Sequence, residues 1–530
     1  MNKKIPFDFK ASLNMPMWHK DFTNVVNEED VNVFLKQQNE NIVKYIKSLK
    51  NNDKRDNFLL SLPSIMDRVN GYIIALLAIQ GCDKNNLELA STLGEVNFLK
   101  TGDKKYLENK TKIILSEKPI RTYFIRRVVR TLTWIKWWKL PLTIFKPDII
   151  AVGHNEILIQ KARKSKQRIY FYQASELLRN INKNNIEYQK SEYFDDLPQE
   201  TYQALIGNLE IEVIYLERFN QLVNSLIKEC LLRDAKALYQ CSQYSKLPKN
   251  IWIGTGTAYS FRLLALAVLR NGGSVTSFTH ATGSVLAPSC HRMYYGEFAV
   301  TNNFVDITPK AKEFFYKNYL KQFPVSINQP FNISSIIQNN KFEKYQNYAI
   351  NKNKRPVVIY MSTAIREFSL GAAISNDMVY LKWQLNLTDI LDKMNIDLIC
   401  QPHPEGVFKD KTLIHPLLRK YNLPNCSFET IMQKADVFLI DYIHSTTVGE
   451  MLVTEKPIVR IGWGDNSVSY GVSERLKPLL NNRCRNIQAK FDESGLPVID
   501  EKKLENALTH NWQEKVNSTE FKELFIGRLK

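Results

Sequence analysis

Three short stretches carry residues whose types and spacing suit phosphate binding and proton transfer. The first is Gln401-Pro402-His403-Pro404-Glu405-Gly406, directly after the apolar run 396–400. Each proline fixes its own φ and biases the preceding residue towards an extended conformation, so His403 is presented from a stiff turn. A donating or cationic imidazole there binds a diphosphate or assists a departing phosphate; the alternative is a capping or core histidine. The second stretch is Asp441-Tyr442-Ile443-His444-Ser445-Thr446-Thr447, between the apolar run 437–440 and a helical pattern that carries Glu450. Hydroxyls and free N–H groups at a helix start form a phosphate site, and the same geometry serves simple N-capping. Glu450, one helical turn beyond Thr446, is placed to reach a ribose hydroxyl, while Asp441 either orients the loop or forms a turn. The third stretch is Phe278-Thr279-His280-Ala281-Thr282-Gly283, where His280 closes an apolar run.

Taking a proton from a hydroxyl nucleophile needs a carboxylate or an imidazole. The candidates at strand ends are His280, ranked first as base or phosphate contact, with Glu156 and His154 from Gly153-His154-Asn155-Glu156. Gly254-Thr255-Gly256 also follows a strand. It lacks the full dinucleotide fingerprint and serves either ligand contact or a tight strand-to-helix turn. No Asp-x-Asp sits at a strand end, and Asp195-Asp196 reads as a polar turn. Metal-independent chemistry without a cofactor is therefore expected, with protein cations offsetting the charge of a leaving group.

The elements that position these stretches read as alternating strands and helices, which implies parallel sheets covered on both faces. Two such α/β regions are expected, at 147–324 and 355–498, joined by a polar linker at 325–354 rich in Asn, Gln and Lys. Strands are expected at 148–152, 168–172, 251–253, 274–278, 298–300, 356–361, 396–400, 437–440 and from 458, and a long helical stretch at 198–240 interrupts the first region. In open parallel sheets ligands lie beyond the carboxyl ends of the strands, and all three stretches fall there. Residues 1–118 read as a helical extension without a catalytic motif, and 499–530 as a charged helical tail packing back across both domains. Between the extension and the first α/β region, 119–146 interleaves Arg121, Arg126, Arg127, Arg130, Lys136, Lys139 and Lys146 with Tyr123, Phe124, Trp134, Trp137, Trp138 and Phe145, without an acidic residue. Such a segment lies in the headgroup region of an anionic membrane, or packs its tryptophans into a core and leaves a solvated basic face.

At 530 residues the chain is too long for one ordinary domain, and its 44% hydrophobic and 24% charged residues are those of a globular protein. No run of about 18 apolar residues marks a spanning helix, and the basic N-terminus has no apolar segment behind it of the kind a secretory signal needs. Seven scattered cysteines, an odd number without a Cys-x-x-Cys pair, point to a reducing compartment and away from a zinc site or disulfide framework. A cytoplasmic protein is expected, in peripheral contact with the inner face of the membrane. The net charge of +18 suits anionic partners, but no recognisable nucleic-acid module accompanies it, so no specific nucleic acid is expected.

The His403-Pro404 loop and the block Asp441-Tyr442-x-x-Ser445-Thr446-x-x-x-Glu450, continued by Lys456-Pro457-Ile458-Val459, together resemble GT-B glycosyltransferases of bacterial surface polysaccharides. The resemblance covers roughly 250–465 and is to the group of CDP-glycerol glycerophosphotransferases, bacterial polysialyltransferases and Kdo transferases. It implies a GT-B fold, with two Rossmann-like domains facing a cleft. It also implies transfer of a sugar or polyol phosphate from a CMP-sugar or CDP-polyol to a capsule or lipopolysaccharide glycan, or to a lipid-linked acceptor. Carried over, His403 with Pro404 and Ser445 with Thr446 hold the donor's phosphates, and His280 matches a His-Gly loop. Relatives have Ser-Ser directly after Asp-Tyr, whereas Ile443-His444 intervene here, which leaves Ser445, Thr446 and Thr447 all as candidates. Two other readings stand beside it: a two-Rossmann sugar-nucleotide epimerase using paired carboxylates, and a non-catalytic protein binding anionic polymers or membranes.

Overall fold

The computed structural model describes every residue outside 1–2, 16, 110–146, 182–186, 190, 208, 281, 288–289, 323–330, 347, 349–353, 367–375, 404–405, 411, 418–427, 464–470 and 528–530. The basic aromatic segment 119–146 and Pro404 lie outside the described residues. The chain is an α/β protein built on two open, all-parallel sheets.

The first sheet is formed by β3 (Ile149–Val152), β4 (Ile169–Tyr172), β5 (Asn250–Ile253), β6 (Ser274–Phe278), β7 (Asn303–Asp306) and β8 (Asn332–Ser335), in the spatial order β4-β3-β5-β6-β7-β8. The second comprises β9 (Val357–Met361), β10 (Asp397–Gln401), β11 (Val437–Ile440), β12 (Ile458–Gly462) and β13 (Arg485–Gln488), in the order β10-β9-β11-β12-β13. β11 and β12 are buried at every position, as strands covered by helices on both faces must be. In both sheets the first strand lies between the second and the third. The winding therefore reverses between β3 and β5 and between β9 and β11, and a crevice opens beyond the carboxyl ends at each of these points.

A third layer comes from the N-terminal region, where β1 (Lys3–Pro6) pairs in parallel with β2 (Leu87–Ala90) beside two long helices, α1 (Glu28–Ser48) and α2 (Asn52–Lys84). Asn27 and Asn51 cap them through their side chains. α2 is apolar nearly all round, and its hydrophobic core residues Phe58, Leu59, Leu60, Leu62, Ile65 and Val69 are buried. By length and composition it is apolar enough to cross a membrane, yet 67% of its most apolar window is buried inside the protein, packed chiefly against α3 (Val213–Ser242). One hydrophobic core runs without a break through this layer and both sheets.

Several sequence expectations need correction. Residues 298–300 form a 3-10 turn in which all three side chains are buried, without the alternation of a strand; the strand is β7, a few residues on. The helical stretch 198–240 is two helices, Leu197–Ile206 and α3, parted where Gly207 takes a φ of +56°. The range 325–354 is not simply a linker, because it supplies β8, hydrogen-bonded along β7. The N-terminal region holds strands as well as helices, and it walls the site described next. The remaining helices used below are α4 (Cys290–Gly296, between β6 and β7), α5 (Asp377–Leu391, after β9), α6 (Phe428–Lys434, before β11), α7 (Thr446–Leu452, after β11) and α8 (Thr519–Phe525, near the C-terminus). The last of these touches both α/β halves. The Thr308 hydroxyl donates to Leu524 O at 2.7 Å, and Lys522 pairs with Glu455 at 2.9 Å.

Candidate functional site

In the second sheet, three loops leave neighbouring carboxyl ends. β9 lies between β10 and β11, so the loop Ser362-Thr363-Ala364-Ile365-Arg366 sits between the His403 loop and the Ser445 loop. The His403 loop is fastened to it: Val407 N–H donates to Ile365 O at 2.8 Å. Gly406 makes this possible, with a φ of +84° and its Cα so close to Ile365 O that a Cβ would collide with that oxygen. His403 itself is half-buried.

Asp441 ends β11 and is turned inward, 3% exposed. Its carboxylate accepts from Tyr360 OH (2.6 Å), Trp383 Nε1 (2.9 Å) and Tyr380 OH (3.0 Å). Burial pushes its pKa up to about 6, and the three donors hold it from rising further, so it is ionised at neutral pH. Tyr380 OH in turn accepts from Thr363 N–H at 2.9 Å, so one carboxylate fixes the loops after both β9 and β11. Asp441 thus orients the loop from behind and presents no oxygen to the cleft. Ser445 caps α7, accepting from Thr447 N–H at 3.3 Å, and its hydroxyl lies 2.6 Å from that of Thr447. Because α7 has only seven residues its dipole is short, and the half-buried hydroxyls of Ser445, Thr446 and Thr447 are the groups this turn offers a ligand.

The Lys-Pro end of the same block does structural work. Lys456 is fully buried, and its ammonium donates to Met432 O (3.2 Å), Gln433 O (2.9 Å) and Ala435 O (2.6 Å), the orphan carbonyls at the end of α6. Burial lowers its pKa to about 8. Arg483 does the same for α7, donating to Met451 O, Leu452 O, Thr454 O and Lys456 O.

In the first sheet, Asn155 gathers the carboxyl-end loops. Its amide donates to Gly254 O (2.7 Å) and Thr279 O (3.0 Å), and its oxygen caps the following helix at Ile157 and Leu158. The glycine turn is engaged by the protein itself. Gly256 N–H and the Thr255 hydroxyl donate to the buried Glu297 carboxylate at 2.6 and 2.5 Å, and Arg262 donates to Gly256 O at 3.1 Å. The N–H that a phosphate would need at Gly256 is thereby taken. His154 is exposed and Glu156 half-buried at the start of their helix. His280 reaches solvent beyond β6, where loss of surrounding water and the Lys341 ammonium pull its pKa below the ordinary imidazole value, leaving it neutral at neutral pH.

The two sets of loops meet. Gly449 on α7 lies so close to Thr282 that a Cβ would run into Thr282 Cγ2. One position on, Glu450 is 5% exposed and pairs with Lys341 at 3.2 Å. The expected ribose contact is thus an ion pair between the halves, and its cation is the same lysine that acts on His280.

A third wall was invisible in the sequence. Asp67 and Arg68 lie midway along α2, Asp67 exposed and Arg68 paired with Glu95 at 3.3 Å. Loss of water pushes the Asp67 carboxyl up from its ordinary range, opposed by the guanidiniums of Arg292, Arg366 and Arg68. The half-buried phenol of Tyr442 is raised by loss of surrounding water and opposed by the same two arginines, Arg292 and Arg366. Arg292 is on α4, which is tied to α1 by Tyr295 OH donating to Asn39 at 2.9 Å. Arg366 ends the loop after β9. Charged groups from all three layers therefore converge beside Tyr442, whose ring meets that of His444 edge-on at 5.4 Å. Among the described residues, no group of three or more His, Cys, Asp or Glu is arranged to hold a metal ion.

Compared with known proteins, the chain matches no family model and no curated protein.

Proposed function

We propose that the protein is a GT-B glycosyltransferase that moves a sugar or polyol phosphate from a cytidine-nucleotide donor to a cell-surface glycan at the inner face of the membrane. The observation that carries this reading is the convergence of the His403 loop, the Ser445 turn and His280 where the carboxyl ends of two parallel sheets meet, at Gly449 against Thr282. Crevices at winding reversals of parallel sheets are where nucleotides bind. In this reading His403 and the hydroxyls of Ser445, Thr446 and Thr447 hold the donor's phosphates. His280, neutral at neutral pH, takes the acceptor's proton as it attacks, and the nucleotide departs with the bonding electron pair, its charge offset by protein cations.

A thermal-shift panel of CMP, CDP, UDP and GDP tests the donor class. A cytidine nucleotide at a hundred times its Kd stabilises the protein by about 2.7 kcal/mol. His403→Ala should abolish that shift and the transfer while leaving the melting curve of the free protein in place. A panel in which no nucleotide stabilises the wild type, or a fully active His403→Ala enzyme, refutes the reading.

A further inference from the structure

We propose that Lys341 binds the donor's phosphate beside Thr446, with Glu450 holding its ammonium in place while the cleft is empty. The inference rests on the transferase reading and deepens it by naming the cation that grips the phosphate and offsets its charge as the nucleotide departs.

The placement carries the argument. Lys341 belongs to the first half, in the short helix Asn340–Glu343 that follows β8, within the stretch expected from sequence to be a linker. This turn is fixed to the helix Glu156–Lys164. The Gln160 amide donates to Asn339 Oδ1 at 3.1 Å and accepts from Asn340 N–H at 3.4 Å, while Asn339 Oδ1 also accepts from Lys341 N–H at 3.1 Å. From there the half-buried Lys341 reaches into the second half, where its ammonium lies 3.2 Å from the Glu450 carboxylate. The neighbouring Phe342 packs on α7 as well, its Cε1 3.2 Å from where a Cβ on Gly449 would stand, and Thr282 closes on the same glycine. The Lys341 turn, the loop that carries His280 and α7 therefore meet at one residue. Glu450 is one helical turn beyond Thr446, about 5 Å along α7, and helical side chains lean back towards the preceding turn. Its carboxylate thus draws the ammonium to the side of α7 that bears the Thr446 hydroxyl. An ammonium carries three N–H donors, so one held by a carboxylate can turn the others to a phosphate. Glu450, a like charge to that phosphate, opposes it while it holds the cation in place.

Isothermal titration calorimetry on the full chain with inorganic pyrophosphate, CMP and cytidine tests the assignment. Lys341→Met should weaken pyrophosphate and CMP about tenfold each and leave cytidine, which has no phosphate, unchanged. Lys341→Arg, which keeps the charge, should lose much less. Glu450→Gln breaks the same ion pair from its other end, yet it should tighten pyrophosphate several-fold, because the opposing charge is gone. A merely structural pair would give losses from both ends, and this arm decides the matter even where Lys341→Met is too unstable to titrate. Lys502→Gln, an exposed charge removed from the helix Glu501–Thr509, should change nothing, which separates the site from the general pull of the +18 chain. A wild type that does not bind pyrophosphate, a Lys341→Met protein that binds it as the wild type does, or a Glu450→Gln loss equal to that of Lys341→Met overturns the proposal. Lys341-dependent binding of pyrophosphate without any binding of CMP upholds it and defeats the donor reading, whereas CMP binding indifferent to Lys341 does the reverse.

Discussion

Gly449→Ala puts the meeting of the two halves to a quantitative test. Gly449 sits within α7, and an alanine there improves the helix by about 1 kcal/mol when nothing else is touched. Here the new methyl would run into Thr282 Cγ2 while standing 3.4 Å from Thr282 Cβ and 3.2 Å from Phe342 Cε1. Forcing a methyl into a filled space costs about 1–3 kcal/mol. Gly449→Ala should therefore be neutral to destabilising by about 2 kcal/mol. At roughly 2–4 °C per kcal/mol for domains of this size, the melting temperature falls by up to several degrees. Nucleotide-dependent stabilisation should fall with it, because α7 can no longer seat against the first half. Thr282→Ser removes only Cγ2, so adding it to Gly449→Ala should recover most of both losses, although on its own it is close to neutral. Differential scanning fluorimetry on the four proteins, with and without CMP, completes the cycle. A Gly449→Ala protein stabilised by about 1 kcal/mol, as an unobstructed helix would be, refutes the packing and with it the closeness of the two loop sets.

Two further outcomes follow from buried carboxylates. Asp441→Ala strands two hydroxyls and an indole N–H that share its oxygens, each orphaned group costing about 1–3 kcal/mol, and the loops after β9 and β11 should loosen together, seen as faster hydrogen exchange at 362–366 and 441–445; unchanged exchange there refutes the role. Asp306 accepts from Ser284 Oγ (2.6 Å) and Ile307 N–H (2.7 Å) through one oxygen, and burial pushes its pKa up to about 6. A carboxyl raised on folding contributes its stability below the unfolded value near 4 and loses it as pH rises through 6. The stability of Asp306→Asn relative to wild type should accordingly grow between about pH 4 and 6 and level off above; a gap that ignores pH counts against it.

What could be read from the sequence followed locality. The apolar runs of β9, β11 and β12 announce buried parallel strands, because both faces of each strand are covered. β8 gave no such signal: as an edge strand it alternates between exposed and half-buried residues, and its sequence Asn-Ile-Ser-Ser reads as polar loop. His403 and Ser445 were found because Pro-His-Pro and a run of hydroxyls are local patterns. Arg366 was missed because its importance depends on β9 slipping between β10 and β11, a fact of pairing over long separations. Asp67 was missed because it lies in an apolar helix where nothing nearby in sequence marks it. Lys456 shows the converse error, in which a conspicuous Lys-Pro is spent on three backbone carbonyls.

The C-terminal helix has a bearing on the timing of synthesis. The Thr308 hydroxyl waits for a partner 216 residues later, and Asn24 donates its amide to Gly495, 471 residues away. At about 5–20 residues per second, the first of these intervals lasts on the order of 10–40 s. Early in it β8 is still unmade, and afterwards the ribosome holds a chain whose first sheet is complete but whose two halves have not been strapped together. An emerging chain therefore displays the loops of the two sheets unassembled until α8 clears the exit tunnel.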